Sequence, residues 1–485
     1  MPKITLPVGI GFYQSSSLPL AAQECVGYYP QTPQTQGALS SSALFYTPGI
    51  EQKAIAGDGP GRGFNIFGGD LYVVSGGGFF KIDSSFTVTS LGSISGTPAR
   101  CSLTNNGTTI AIQVPGGDGY FYDTTNGLQL ITDATYQSFQ AQEGGVQAVT
   151  SKDGFFIYTT QFEFFLSSLV TENGGRNFNG LQFGTAEIKP DPNVRPANIK
   201  NELHILGTDT IELFQNTGSS GQPFQRIQNA TLDKGLVGRF AFIEHDNSYV
   251  FMGGGIGEGV SVWRGGPGAA QKISTSAIDL LFSESTPAEL EDAFAFSYNE
   301  EGAFFVGFTF DNKTIVYDST ASAIQGRPVW HRRATGADNR WRVNDVADIF
   351  GVNIVTDNVD GRIGLMSRDF VTEYGETVKR QFSGAFFANQ GNPVFVNQLE
   401  IRNETGVGNT ASPDPQQQLE LSIDGGNTFH DLGTKALGEE NDFEKRQIWP
   451  RQGQTRYQLI HRVTVEEPVR SNILQMVADI EGGRG

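Results

Sequence analysis

Cysteine is nearly absent from this chain: Cys25 and Cys101 are the only two among 485 residues. Thiols so few and so far apart exclude a disulfide framework and a four-cysteine zinc site, and a reducing compartment fits them best. Methionine is scarce, at 4 residues, and few stretches combine Ala, Leu, Glu and Lys, which argues against a helical protein or an α/β enzyme. Basic charge is short as well, with 34 Lys and Arg facing 52 Asp and Glu for a formal net charge of −18. A sequence-independent grip on nucleic acid comes from neutralising phosphates with Lys and Arg, so this balance argues against wrapping DNA, though not against touching it. Long apolar runs are missing. The first twenty residues are interrupted by Pro7, Gly9, Gly11 and Pro19, which leaves no signal-peptide core, and no later stretch is apolar enough to span a bilayer. The expectation is an unprocessed chain made in the cytoplasm, with no membrane insertion.

Catalytic signatures are also lacking. The five histidines, His204, His245, His331, His430 and His461, include no pair at metal-ligand spacing, and neither HExxH nor GxSxG occurs. They read as ordinary strand and loop residues. The glycine cluster Gly57 to Gly63 is not followed by Lys-Ser or Lys-Thr, so it reads as turns and not as a phosphate cradle. Around Asp357 and Asp360 the alternating carboxylates of a calcium loop are missing. No catalytic residue, metal site or cofactor is expected.

What is abundant is glycine, with 61 residues, together with 36 Phe and 14 Tyr, a mix that favours many short strands joined by glycine turns. From about residue 64 a pair of β-prone runs flanked by Gly, Asp or Asn recurs. The pairs are 69–74 with 79–83, 109–112 with 119–123, 154–158 with 162–166, 202–207 with 210–214, 248–252 with 260–263, 304–308 with 314–318, and 352–355 with 362–365. Their spacing of roughly 40 to 55 residues matches a four-stranded propeller blade with variable loops, though a series of ordinary sandwich hairpins gives similar intervals. The fold expected is all-β: a β-propeller of about seven blades, six or eight being open, plus a C-terminal β-sandwich-like domain. The domains read as an extended N-terminal arm over 1–50, a propeller over 51–374 with a short helical insertion near 275–296, and a β domain over 375–485. Candidate strands in the last are 395–402, 418–423, 444–449, 457–465 and 473–480.

Two local features bear on function. Ser422 to Phe429 resembles the Asp-box of sialidases, yet one copy outside the propeller, without an arginine cluster and a Tyr nucleophile, reads as a structural turn. In that turn Asp424 accepts backbone N–H bonds, Gly425 and Gly426 take positive φ, and Phe429 plugs the strand pair. Basic residues gather in Arg327, Arg332, Arg333, Arg340 and Arg342, and again in Arg446, Arg451, Arg456, Arg462 and Arg470. Of these, Arg327, Arg332, Arg333, Arg340, Arg446, Arg451 and Arg456 are the candidate partner contacts, the competing reading being internal pairing with carboxylates.

Spread along the chain are Thr47-Pro48-Gly49, the run Asp209 to Gly218 leading to Lys234-Gly235, and Ile315-Val316-Tyr317-Asp318 before Pro328-Val329-Trp330. Leu419-Glu420-Leu421-Ser422 before the Asp424-Gly425 turn follows, with Arg446-Gln447-Ile448-Trp449, Gly453, Arg456 and Glu467-Pro468-Val469. As a set these resemble the packaged-DNA stabilisation, or tail accessory hub, proteins of short-tailed phages. The resemblance implies a non-enzymatic virion protein, assembled in the host cytoplasm into the tail as a homo-hexamer. It would dock on the adaptor protein below the portal, retain packaged DNA, and anchor the tail needle and the tailspike or tail fibre. The glycine-rich N-terminal half and the GGRG ending depart from that family. A glycan-binding or glycan-cleaving propeller is the alternative, resting on the Asp-box and the many aromatics.

Overall fold

A computed structural model describes residues 3–96, 98–186, 188–266, 269–336, 339–384, 392–456 and 458–482. Seven antiparallel sheets follow one another along the chain, each stepping outward strand by strand. Their first strands are Gly61–Phe67, Ser102–Asn105, Ala148–Lys152, Asn193–Ile199, Phe242–His245, Phe294–Glu300 and Val343–Ile349, and these line a common axis as blades 1 to 7. The seven hairpins read from the sequence are the second and third strands of the blades, from Asp70–Ser75 with Gly78–Ile82 to Val352–Asp357 with Arg362–Ser367. The second strands are sandwiched between neighbouring blades, so both faces are largely buried and they read as apolar runs, as in Phe155–Thr159. In five blades the tip joining first to second strand is a two-residue turn with both φ angles positive, as at Glu301-Gly302 (47° and 80°) and Phe350-Gly351 (60° and 77°), whose twist suits a hairpin.

The ring closes with a strand from the other end of the propeller. Gly49–Ile55 pairs antiparallel with Arg362–Ser367 and forms the outer strand of blade 7, while the first strand of blade 7 lies beside that of blade 1. Asn344 donates to the Gly61 carbonyl (2.9 Å) across that seam. The closing strand pairs the outer edge of Arg362–Ser367, and the first strands keep only short inner edges protected within the ring, which fits so β-rich a chain.

The C-terminal β-sandwich has two sheets. One runs in the order Gln447–Thr455, Val394–Asn403, Ile473–Gly482, Ala43–Tyr46, Tyr28–Gln31, with Lys3–Leu6 also paired to Ile473–Gly482. The other runs Cys25–Val26, Arg380–Gly384, Ile460–Val465, Gln416–Ser422, His430–Ala436. It is continuous with blade 6, because Cys25–Val26 also pairs in parallel with the outer strand Trp330–Arg333. The N-terminal residues therefore thread both sandwich sheets and the closing blade. One hydrophobic core spans the junction, joining Val250, Met252, Phe308 and Trp330 of blades 5 and 6 to Tyr28, Leu399, Trp449 and Met476 of the sandwich.

Among the described residues helix is confined to four short pieces. Ser276–Ser283 and Pro287–Glu291 stand between blades 5 and 6, with Thr275 and Thr286 as N-caps, and Phe294 begins the strand that follows. Ala134–Gln140 and Ser319–Gln325 are the others. Among the described residues no helix is long and apolar enough to cross a membrane.

His204, His331 and His461 sit inside strands and are buried. Burial holds the His331 imidazole neutral, its pKa lowered from 6.5 to about 3, with Arg333 adding to the effect. A group whose folded pKa is depressed contributes stability above its unfolded pKa, and that stability is lost as pH falls towards the folded value. Asp318 runs the other way, raised from 3.8 to about 7 chiefly by desolvation, so it favours the fold at low pH and that contribution is lost as pH rises. A difference measurement isolates the histidine. His331 packs against Tyr29 and Phe305, with centroids 6.4 and 5.5 Å away, so phenylalanine fits its surroundings. The loss of unfolding free energy between about pH 7 and pH 4 is expected to be ~3 kcal/mol smaller in His331→Phe than in wild type, measured by denaturant titration.

Candidate functional site

The start of each first strand marks one end of the propeller axis, and four arginines from four blades lie at that end as two pairs, Arg100 with Arg340 and Arg195 with Arg239. Arg100, Arg239 and Arg340 stand two or three residues ahead of first strands, and Arg195 lies within one. Arg100 reaches from blade 2 across the axis. Its guanidinium carbon is 5.6 Å from the Phe240 ring centroid and 4.2 Å from that of Phe294, and it pairs with Asp345 of blade 7. Arg340 lies 5.6 Å from the same Phe294 ring and donates to Asn344 Oδ1 (2.6 Å). Arg195 stacks on Phe242 (4.9 Å) and donates to the Arg239 carbonyl (3.2 Å). Arg239 donates to Gln147 Oε1 of blade 3. Phe240 and Phe294 bridge blades 5 and 6, with the Ala295 N–H on the Phe240 carbonyl (2.8 Å). Side chains therefore cross the axial channel at this level.

The electrostatics of this cluster are lopsided. Among the described residues, Asp345, paired with Arg100, is the single carboxylate within ion-pair distance of any of these guanidinium groups. Glu244, Glu291, Asp292 and Asp357 act on the cluster only from longer range. Desolvation first, then the neighbouring Arg239, lowers Arg195 from 12.5 to about 10 against the opposing pull of Glu244. Desolvation and Arg100 likewise lower Arg340. The Nε atoms of Arg100, Arg239 and Arg340 are buried and have no hydrogen-bond partner among the described residues.

The sequence-derived candidates divide by environment. Arg333 is buried, pairs with Glu373 (3.4 Å), donates to the Pro48 carbonyl (2.6 Å) and stacks on Trp341 (3.7 Å). Arg332 pairs with Glu24 (3.2 Å) where the blade 6 sheet meets the sandwich. Arg327 is exposed and bonds the Ile10 carbonyl (3.4 Å) and Gln325 (3.0 Å). On the sandwich, Arg446 makes a bidentate pair with Glu400 (2.9 and 3.1 Å) while staying mostly exposed. Arg451 within the edge strand Gln447–Thr455 and Arg456 just past its end are exposed. The axial set thus includes Arg340 from the basic stretches and none of the other candidates. Arg100, Arg195 and Arg239 are isolated in sequence. Their shared signal is position relative to each blade's first strand, visible only once the blades are laid over one another.

In the 422–429 turn, Asp424 Oδ1 accepts from Asn427 N (3.0 Å) and Thr428 N (2.9 Å), and Oδ2 accepts from Thr428 Oγ1 (2.6 Å). These bonds, the Thr428 hydroxyl foremost, hold the carboxyl well below the usual range. Gly425 and Gly426 have φ of 78° and 95°. Phe429 lies half-buried beneath Arg462 at 3.9 Å rather than filling the space between strands. Every polar atom that gives the motif its catalytic look is engaged in holding a turn. Among the described residues no group of His, Cys, Asp and Glu is placed to hold a metal ion.

No curated protein matches the chain in sequence. Among solved structures, a streptogramin B lyase superposes with a TM-score of 0.43 at 11% identity, covering 66% of this chain and 97% of the lyase. A catalytically inactive virginiamycin B lyase from Staphylococcus aureus with quinupristin gives 0.41 at 10% identity, covering 70% and 99%. Likeness at this level has no bearing on activity. Family matches are specific and cover both domains: residues 5–371 match "Bacteriophage P22 Gp10, beta-propeller" and residues 379–481 match "Bacteriophage P22 Gp10, beta-sandwich". With a ring closed through its N-terminal strand and a sandwich fused to blade 6, the chain belongs to the bacteriophage P22 Gp10 family of phage stabilisation proteins.

Proposed function

We propose that this chain is a tail hub component of a short-tailed phage. It assembles as a homo-hexamer beneath the adaptor ring, retains the packaged DNA, and anchors the needle and the spikes or fibres. The observation that carries this reading is the pair of family matches, which together account for the propeller and the sandwich in one chain. The architecture suits such a role. A protein at the base of a pressurised particle has to pass load between its contact faces, and the nine-stranded sheet from blade 6 into the sandwich gives a hydrogen-bonded path between them. Loops at both ends of a rigid propeller supply separate faces for separate partners.

The edge strand Gln447–Thr455 is the partner-contact surface we favour among the basic candidates. It carries Arg451 to solvent, with Arg446 just before it and Arg456 just after it also exposed, in a protein of net charge −18, and a bulge at its pairing with Val394–Asn403 turns it locally. An acidic surface on a neighbouring tail protein, or on the next copy in the ring, complements it.

Mixing the purified chain with portal–adaptor complexes and imaging by cryo-electron microscopy tests this reading. Six-fold rings bound below the adaptor are expected, and monomers that ignore the adaptor would sink it. Arg451→Glu with Arg456→Glu is expected to lower occupancy of adaptor-bound rings at least tenfold. Unfolding free energy should change by less than about 1 kcal/mol, because both side chains are surface residues without buried partners.

A further inference from the structure

A cavity of about 850 Å³ lies between blades 4 and 5, at the propeller end opposite the axial arginines and beside the turns at Lys200-Asn201 and Asp246-Asn247. His204 of blade 4 and Tyr249 of blade 5 stand in its wall, 4% and 2% exposed. The Tyr249 hydroxyl and both ring nitrogens of His204 make no hydrogen bond among the described residues. Glu202 Oε2 is 3.4 Å from His204 Nε2 but off the line of a hydrogen bond. Desolvation, with Lys152 adding to it, keeps that imidazole neutral, its pKa lowered from 6.5 to about 4, so it offers one donor and one acceptor. Buried polar groups without partners are costly. The nitrogens of His331 are unbonded too, but its ring is packed against Tyr29 and Phe305, whereas His204 and Tyr249 border open space. The charged residues of the cavity are balanced, Lys200 and Arg264 against Glu202 and Asp246, with Arg264 and Asp246 paired at 2.6 Å. An ion of either sign therefore meets as much repulsion as attraction there. Asn201, Asn247 and Gln271 add amides, and Leu213 and Ala270 add apolar wall.

We propose that the cavity between blades 4 and 5 is a binding site for a neutral saccharide of one or two rings. Sugar hydroxyls both donate and accept, so one ring can serve the tyrosine hydroxyl and the neutral imidazole together. Neighbouring hydroxyls suit the amides and carboxylates at the rim, and the C–H faces of the ring suit Leu213 and Ala270. The cavity also falls within the usual size of small-molecule sites, roughly 300–1,000 Å³. It lies on the propeller, away from the Asp-box turn on the sandwich, and it does not depend on how the chain assembles.

The test titrates the full chain with maltose, lactose and diacetylchitobiose, and with glucuronate and glucosamine as charged comparators, followed by saturation-transfer difference NMR and the thermal midpoint. At least one neutral disaccharide is expected to give a saturable signal and a rise in midpoint, with the charged sugars weaker. Tyr249→Phe removes only the hydroxyl. It is expected to leave the midpoint of the free protein unchanged or higher, and to weaken the sugar about three- to tenfold. Ala270→Trp fills the cavity and is expected to abolish the response, while Arg446→Gln, on the sandwich, should leave it as in wild type. The proposal is overturned if none of the three neutral disaccharides saturates, if only a charged sugar binds, or if Tyr249→Phe binds as wild type does. A lower midpoint for free Tyr249→Phe also overturns it, because the hydroxyl would then be bonded already. Should Ala270→Trp fail to fold, Tyr249→Phe decides the matter.

Discussion

Removal of residues 1–56 is expected to abolish cooperative folding of both domains, not merely to trim an end. The deleted stretch holds the outer strand of blade 7, which pairs with Arg362–Ser367, and strands of both sandwich sheets. Tyr28, Tyr29, Leu44, Tyr46 and Ile50 are all at most 2% exposed. At roughly 1.5–3 kcal/mol for each large apolar side chain buried, their loss alone approaches the whole net stability of a typical domain, about 5–15 kcal/mol. Opening the ring would also expose the strand edge that Gly49–Ile55 covers, which adds an aggregation hazard. The expected result is loss of the near-ultraviolet circular dichroism signal and rapid proteolysis throughout 57–485. A truncated chain that melts cooperatively at the wild-type temperature would show that the N-terminal strands are accessory.

Glu373→Ala is expected to cost about 3–5 kcal/mol of unfolding free energy, the usual consequence of leaving a buried charge without its partner. Glu373 accepts from the Trp341 indole (2.7 Å), Thr335 Oγ1 (2.6 Å) and Arg333 (3.4 Å), where the outer strand of blade 6 meets blade 7, and both Trp341 and Arg333 are buried. Arg333 is 1% exposed, so water cannot take over when the carboxylate is removed. Desolvation nonetheless raises the Glu373 carboxyl above its ordinary range despite Arg333, so ionising it is itself costly there. The neutral amide in Glu373→Gln is therefore expected to lose far less than alanine does. The double replacement Arg333→Met with Glu373→Leu should recover most of the loss. Denaturant unfolding of the three variants measures this, and strictly additive losses would mean the pair is not the source of the effect.

The parts of this fold that could be read from sequence are those with the least ambiguous environment. Second strands of every blade are largely buried on both faces, so 154–158 or 304–308 appear as dense aromatic and β-branched runs. First strands alternate between packed and axial faces, and outer strands such as Phe178–Thr185 are largely exposed, which dilutes the pattern. Strands of two to four residues, like Cys25–Val26 and Tyr28–Gln31, are too short to carry a period, and they form only because distant strands offer them an edge. In the sandwich, strands Arg380–Gly384 and His430–Ala436 lie outside the runs expected from sequence, and the strand expected over 444–449 is Gln447–Thr455. The start of the run at 457 lies outside the described residues, and its strand begins at Ile460.

The axial cluster was less legible still. Arg340 stands in a visible basic stretch, but Arg100, Arg195 and Arg239 are brought to it only by ring closure. A contiguous basic run proved a poor guide in the other direction as well. Arg332 and Arg333 are adjacent in sequence, and they project to opposite sides of one strand to separate carboxylates, Glu24 and Glu373. The Asp-box, by contrast, could be judged from its residues alone, because Asp and two glycines at that spacing close a turn through local bonds wherever they occur.

Retention of DNA by particles assembled with and without this chain tests the central claim most directly, with nuclease protection of the packaged genome as the readout. The account predicts that particles lacking the chain fill and then lose their DNA, and that adding the purified chain before loss restores protection. Equal protection in its absence would contradict a role in stabilising the filled particle.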